Sequence, residues 1–404
     1  MRLTKSVGLF VLVVASAGCG DADTGEASSR EPEVGQIAER LESIWDRQPA
    51  GVVAVMRDPR DRNPDTSQLW VFACSSTNQL MRRIKTNFRS NTFEGDWTVE
   101  ADTPCATVPS VSAWSRSPQD QVEVVFRSTS NQLIEVFYDS NGARSELNLS
   151  DYLNFGAIAG APVIADMDDA LGNLSVVVRN PSNRLYTLSV FSNRWHVYPV
   201  TNASGGGPVL ADGTLVGWYS DTKAYLSATD NGTYRTYRHP AWNTGFRQFN
   251  AALPSNLNLG VVTFAPRGSQ VIAVARDATG RLFYSPTNAA WNFIPVPSNP
   301  IRTSTTVYLG APYSYFYGNN TTNGALAYCR MANQAASAEF DAFELLSSGN
   351  QPETIGVTMY SADSMVVNPA SLYWNDVFYA DEQQNLHWFS YDDGDAYLGL
   401  KVRF

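Results

Sequence analysis

Residues 124–133 read VVFRSTSNQL, and residues 176–185 read VVVRNPSNRL. An apolar run meets a polar turn of about five residues, and a Leu opens the next apolar run. That is strand, tight turn, strand. The same element ends at Leu80 (VFACSSTNQL), Leu226 (GWYSDTKAYL), Leu282 (AVARDATGRL), Leu326 (NNTTNGAL) and Leu386 (VFYADEQQNL). These seven copies recur on average every 51 residues. A fixed period of this length signals a repeat architecture, in which neighbouring units bury each other's faces.

The flanks repeat as well. An apolar strand precedes each copy, at 51–56, 111–115, 161–166, 208–212, 260–265, 304–309 and 355–360. A strand with an aromatic residue often follows, as at Trp97, Trp195 and Trp291. Four strands per unit is a propeller blade. The expectation is an all-β, seven-bladed β-propeller of four-stranded antiparallel blades over residues 50–404, with the seven strands above innermost. Long excursions at Asp58–Ser67, His239–Leu259 and Ser361–Ala370 belong on the rims, where propellers carry function.

The segment before residue 50 has a different texture. Arg2 and Lys5 precede an uncharged apolar run, Val7–Ala17, and then Gly18 and Cys19. This is the plan of a secretory signal, too short to span a bilayer. The Ser16-Ala17-Gly18-Cys19 end resembles a bacterial lipobox, with Ser16 in place of the usual aliphatic residue. The resemblance implies a lipoprotein signal peptide at 1–18 and acylation of Cys19. Residues 19–33 are small, acidic and polar, the composition of a flexible tether. Val34, Ile37, Leu41, Ile44 and Trp45 fall at helical spacing and predict an amphipathic helix over 34–48. The expected location is extracytoplasmic, anchored through lipid to the bacterial cell envelope, at the outer membrane because Gly20 is not Asp.

Composition narrows the function. The chain has 404 residues, a formal charge of -10 and only 3 His. A nucleic-acid partner needs a basic face, which this balance does not favour. Three His make a His-rich metal or catalytic centre improbable. No HExxH, CxxC, GxxxxGK[ST] or GxSxG occurs. The nearest approach to a sialidase Asp box, Ser227-Ala-Thr-Asp230-Asn-Gly232-Thr-Tyr234, has the wrong spacing at both ends. Asp166, Asp168 and Asp169, and Asp392, Asp393 and Asp395, offer hard oxygen ligands for Ca²⁺, yet neither group fits a calcium loop in full. No cofactor and no metal site follow from the sequence. A double glycine occurs in one unit, at Gly205–Gly207.

The repeated element resembles the lectin-like propellers, both the seven-bladed bacterial group related to Photorhabdus lectins and the fungal fucose-binding group. The bacterial blades carry Arg, three residues, Gly, one residue, Leu. Arg276 to Leu282 matches all three positions, while Arg127 to Leu133 and Arg179 to Leu185 place Asn131 and Asn183 where the Gly stands. Asn is the best non-glycine residue for a turn at positive φ. The resemblance implies a carbohydrate partner. Fucose-type sites need an Arg ten residues before the Leu and a Glu two after it. Glu135 stands two after Leu133, with Tyr138 and Asp139 beyond, but the Arg position holds Glu123, and no unit has the pair. The candidate ligand-binding residues are Glu135 to accept from hydroxyls, Tyr138 to offer a ring face, and Asp139. Arg127, Arg179 and Arg276 read as turn-locking donors or edge salt bridges, and Trp195, Trp291 and Trp388 as packing residues. A binding protein is favoured over an enzyme. A protein-interaction scaffold at the cell envelope and a propeller glycoside hydrolase or lyase are the alternatives.

Cys74 closes a second strand and Cys105 follows a fourth. Two strand spacings, about 9–10 Å, exceed the reach of a disulfide unless the loop folds back.

Overall fold

The computed structural model describes residues 52–56, most of 66–248, and the strands between 263 and 402, with side chains described within 66–248 only. The signal segment, tether and helix expected before residue 50 lie outside the described residues, as do Asp169 and Asp393. Among the described residues the chain forms seven four-stranded sheets, each antiparallel. Sheet 1 contains β1 (Val52–Met56), β2 (Leu69–Cys74), β3 (Leu80–Lys85) and β4 (Glu94–Val99). Sheet 2 contains β5 (Ser110–Arg116), β6 (Gln119–Arg127), β7 (Leu133–Tyr138) and β8 (Arg144–Asn148). Sheet 3 contains β9 (Ala159–Asp168), β10 (Asn173–Arg179), β11 (Leu185–Phe191) and β12 (Arg194–Pro199). Sheet 4 contains β13 (Val216–Ser220), β14 (Lys223–Asp230), β15 (Thr233–Arg238) and β16 (Arg247–Gln248). The remaining three sheets follow within 263–293, 306–344 and 354–402. In the first four sheets β1 lies beside β5, β5 beside β9, and β9 beside β13. In the last sheet the second strand (Asn375–Asp381) lies beside β1. Sheets stacked face to face through their inner strands make a β-propeller.

Burial follows this plan. β2 is buried along its whole length, whereas β4 is exposed at nearly every position. A strand sandwiched between neighbouring sheets is apolar on both faces, which explains the unbroken Val176, Val177 and Val178. On β6, Val122, Val124 and Phe126 face sheet 1 and pack on Trp70, Phe72 and Leu80. Val125 points the other way and joins Leu133, Leu174 and Val176 between sheets 2 and 3. This alternation is the period of two that strands impose.

The turns explain the repeat. Asn78, Asn131 and Asn183 adopt φ of 61°, 64° and 60°, the left-handed region in which Asn is the best-tolerated L-residue. Each turn is closed by a residue three before the Asn. Ser75 Oγ and Ser128 Oγ accept from the N–H of Gln79 and Gln132 at 3.0 Å, and Asn180 Oδ1 accepts from Arg184 N–H at 3.0 Å. The backbone carbonyl of each αL Asn then accepts an N–H from the connector leading to the next sheet. The donors are Cys105 (2.8 Å), Ile158 (2.7 Å) and Ala211 (2.8 Å).

That connector overturns the expectation for the cysteines. Cys74 and Cys105 are joined by a disulfide, with Cα atoms 6.0 Å apart. Cys105 is not stacked beyond β4. Its segment crosses back beneath the β2–β3 turn, donates to Asn78 and bridges to Ser128. In sheet 3 the residue matching Cys74 is Arg179, whose Nη1 donates to the carbonyl of Ala211 at 3.1 Å. Arg127 donates to the Asn131 side chain of its own turn. These two arginines act as turn-locking donors.

A second correction concerns sheet 4. Residues 208–212 do not form its first strand; β13 takes that place. Pro208 follows a cis peptide bond and has no N–H to give. The segment instead bonds back to sheet 3, with Leu185 N–H donating to Val209 O and Val209 N–H to Val200 O, both at 2.9 Å. β13 then runs so close to β9 that a Cβ on Gly217 would sit 2.7 Å from the Ala165 Cα.

Candidate functional site

The three residues singled out from the sequence lie in three environments. Glu135 and Tyr138 are three apart on one strand, so they face opposite sides of sheet 2. Glu135 is 8% exposed and shares a hydrogen bond with Glu123, itself 5% exposed, on the side facing sheet 3. The register pairs Glu123 with Phe137 and Val125 with Glu135, which makes the two carboxyls diagonal neighbours. Burial raises both pKa values, Glu135 to about 7 and Glu123 well above the carboxylate range with help from its neighbour's charge. The pair holds a proton between its oxygens, and Glu123 Oε2 has no hydrogen-bond partner. Tyr138 is fully buried, so its ring offers no open face. Its hydroxyl donates to Glu100 Oε2 at 2.7 Å, and burial followed by the Glu100 charge pushes the phenol pKa above its usual range. Asp139 organises the β7–β8 turn, where Oδ1 accepts from Asn141 and Ala143 N–H at 2.8 Å.

Between sheets 1 and 2 the chain builds a group that sequence reading missed. Arg82 stands two after Leu80, where the fucose pattern asks for Glu, and Trp70 stands ten before it. The Arg82 guanidinium lies 4.3 Å above the Trp70 ring and 5.0 Å from the Tyr138 ring. Its Nε is 3.1 Å from Glu100 Oε1, and Thr98 donates its hydroxyl to the same oxygen. Tyr138 meets Trp70 edge-on, with centroids 5.2 Å apart. Arg, Glu and two aromatic rings are the ingredients of a sugar site. Here they contact one another, with Trp70, Glu100 and Tyr138 buried and Arg82 half-buried.

The open site lies between sheets 3 and 4. A cleft of about 380 Å³ has one wall from Pro208, Val209 and Leu210 and the other from Asp230, Arg235 and Tyr237. Register explains the second wall. Leu226 pairs with Tyr237, Ala228 with Arg235 and Asp230 with Thr233, so all three polar residues share the face turned to sheet 3. Leu210 is 48% exposed at the mouth. The first wall is held by Asn202, whose Oδ1 accepts from Ser204 N–H at 3.0 Å and Gly206 N–H at 2.9 Å. Tyr237 is buried at the base, and that burial pushes its pKa up to about 12, so it stays a hydrogen-bond donor. Arg235 Nε is buried without a hydrogen-bond partner. Two sequence signals border this cleft, the Gly205–Gly207 run and the imperfect Asp box around Asp230. Neither alone identified it.

No protein-family model matches the chain, and no curated protein matches it in sequence. Solved structures do match. A lectin from Burkholderia pseudomallei superposes with a TM-score of 0.63 at 15% identity, covering 88% of this chain and 99% of that one. This chain has a β-propeller fold. The Aleuria aurantia lectin, described as a six-bladed β-propeller with a novel fucose recognition mode, gives a TM-score of 0.47 at 10% identity over 88% of this chain and 96% of its own. A protein of Arthrobotrys oligospora gives 0.44 at 13% identity over 74% and 88%.

Within this propeller the cleft does not coincide with the positions that the fucose pattern marks. Those positions are Ser175 and Thr187 in the third unit, and Val216 and Ala228 in the fourth. None of them lines the cleft. Ser175, Thr187 and Ala228 are buried, and Ser175 shares a 2.7 Å hydrogen bond with Ser189.

Proposed function

We propose that the protein is a carbohydrate-binding propeller of seven blades, anchored by lipid outside the cytoplasm. The observation that carries the binding role is the cleft between sheets 3 and 4. A sugar ring has an apolar face and a fringe of hydroxyls. Pro208, Val209 and Leu210 suit the first, while Asp230, Arg235 and Tyr237 suit the second as acceptor, charged donor and neutral donor. The cleft, rather than the Glu135, Tyr138 and Asp139 set, carries this reading. Seven four-stranded sheets, with the last returning beside β1, support the blade number. Arg2, Lys5, the Val7–Ala17 run and the Gly18-Cys19 junction support cleavage before Cys19 and its acylation, and Gly20 supports the outer membrane.

A glycan array probed with the purified protein tests the binding role. Binding to a defined set of glycans, lost in Asp230→Ala, is expected; an array bound nowhere, or bound equally by that variant, overturns it. Palmitate labelling tests the anchor. Cys19→Ala abolishes incorporation and releases the protein from membranes, and continued labelling refutes the assignment.

A further inference from the structure

We infer that the cleft between sheets 3 and 4 selects acidic saccharides, those carrying a carboxylate on the ring, over their neutral counterparts, and that Arg235 makes the selection. The inference rests on the carbohydrate reading above and adds the charge of the ligand to it.

Three other half-buried arginines each face an acceptor of the chain itself. Arg82 has Glu100, Arg127 has the side chain of Asn131, and Arg179 has the carbonyl of Ala211. The Nε–H groups of all three lack a hydrogen bond, as does that of Arg235; what sets Arg235 apart is that it lines the cleft, where a ligand can reach its buried Nε–H. A buried donor left unpaired is unfavourable, and more so on a charged group. The remedy is an acceptor brought by a ligand. A guanidinium presents its N–H groups as a planar fork, and a carboxylate matches that fork with two parallel hydrogen bonds.

The other lining residues narrow the class further. Asp230 shares the cleft and repels a compact multivalent anion such as phosphate or sulfate. It accepts from hydroxyl groups instead, so the ligand must pair one carboxylate with several hydroxyls. Tyr237 adds a neutral donor at the base. Pro208, Val209 and Leu210 form a wall without side-chain donors or acceptors, suited to the C–H face of a pyranose. The volume, about 380 Å³, lies toward the lower end of the range of ligand clefts, about 300–1,000 Å³. A uronic acid or another ring carboxylate answers all four features. The chain's formal charge of -10 provides no long-range attraction for an anion, so the selection must be made by contacts inside the cleft.

The test is calorimetric titration of the purified full-length protein in detergent with three probes. These are a galacturonic acid disaccharide, the matching neutral galactose disaccharide, and sodium acetate. The acidic disaccharide should bind at least ~10-fold tighter than the neutral one, a difference of about 1.4 kcal/mol. Arg235→Gln should bring the two disaccharides to equal affinity, while Arg235→Lys should restore part of the preference, because an ammonium keeps the charge but loses the fork. Thermal unfolding of each variant checks that it is folded. Equal affinity for the two disaccharides, both lost in Asp230→Ala, overturns the selection and leaves the carbohydrate reading standing. An acidic preference unchanged by Arg235→Gln also overturns it. Acetate binding as tightly as the acidic disaccharide shows an anion site with no use for a sugar ring, and overturns the inference. Failure of every saccharide to bind overturns both readings together.

Discussion

The junction between sheets 1 and 2 and the junction between sheets 3 and 4 place similar chemistry between neighbouring blades. Both hold an Arg, a carboxylate and a Tyr. In the first, Glu100 pairs with Arg82 and accepts from Tyr138, and the Arg82 guanidinium lies against the Trp70 ring. In the second, Arg235, Asp230 and Tyr237 line open space. Composition would rank the first junction higher as a sugar site, since it has more aromatic surface. Access ranks the second higher. A polar side chain turned onto its neighbours inside the protein serves stability, and one that lines an open cleft can be reached by a ligand.

Removing a partner from each junction should therefore give unequal costs. The largest effect is expected for Glu100→Ala. It strands the half-buried Arg82 and removes the acceptor of the buried Tyr138 hydroxyl, a loss of about 3–5 kcal/mol in chemical denaturation. A loss below about 1 kcal/mol would show that the network is dispensable and would weaken the contrast. Next comes the covalent tie beside that junction. The double replacement Cys74→Ser and Cys105→Ser reopens a loop with a sequence separation of 31 and should cost about 3–4 kcal/mol. A melting temperature unmoved by reducing agent would contradict this.

The third effect belongs to the junction between sheets 2 and 3, which stands between the two extremes, closed but not satisfied. The folded pKa of Glu135 is about 7, above the ordinary carboxylate value, and that of Glu123 is raised as well. The folded state thus holds protons that the unfolded chain releases near its lower pKa. The stability tied to Glu135 is complete below about pH 4.5 and is lost as pH rises through about 7. Wild type should lose up to ~3 kcal/mol from this source between pH 5 and 8. Glu135→Gln should flatten the profile, and a wild-type curve already flat over that range would remove the basis for the shared proton. The smallest effect is expected for Arg235→Gln. With no internal partner to lose, its unfolding free energy should stay within about 1 kcal/mol of wild type. A drop as large as that of Glu100→Ala would mean that Arg235 has a structural role, and the two junctions would no longer differ in kind.

The legible part of the fold was the part written in local backbone chemistry. Asn131 and Asn183 announced left-handed turns because few other residues tolerate them, and the structure places both there. Apolar runs such as Val176 to Val178 announced strands buried on both faces. The path of the connectors was not legible. Nothing in the spacing of Cys74 and Cys105 shows that the chain turns back under the β2–β3 hairpin. Sheet 4 misled for a related reason, because residues 208–212 have the apolar character of an inner strand but bond to sheet 3. The candidate site was harder still. Glu135, Tyr138 and Asp139 looked like one cluster because they are close in sequence, whereas the pleat separates Glu135 from Tyr138. Arg235 carries no local signal at all. Its interest lies in lining the cleft, and that is a property of three-dimensional placement.

The αL asparagines have one further consequence. Each carbonyl of Asn78, Asn131 and Asn183 receives its N–H from the connector of the same unit, about 27 residues downstream. The fastener and the part it fastens are therefore copied together whenever a segment of one period, 51 residues on average, is duplicated. A new unit arrives already able to secure its own exit. Its faces are then free to diverge, toward a disulfide in one copy and an open cleft in another, without loosening the thread that links it to its successor.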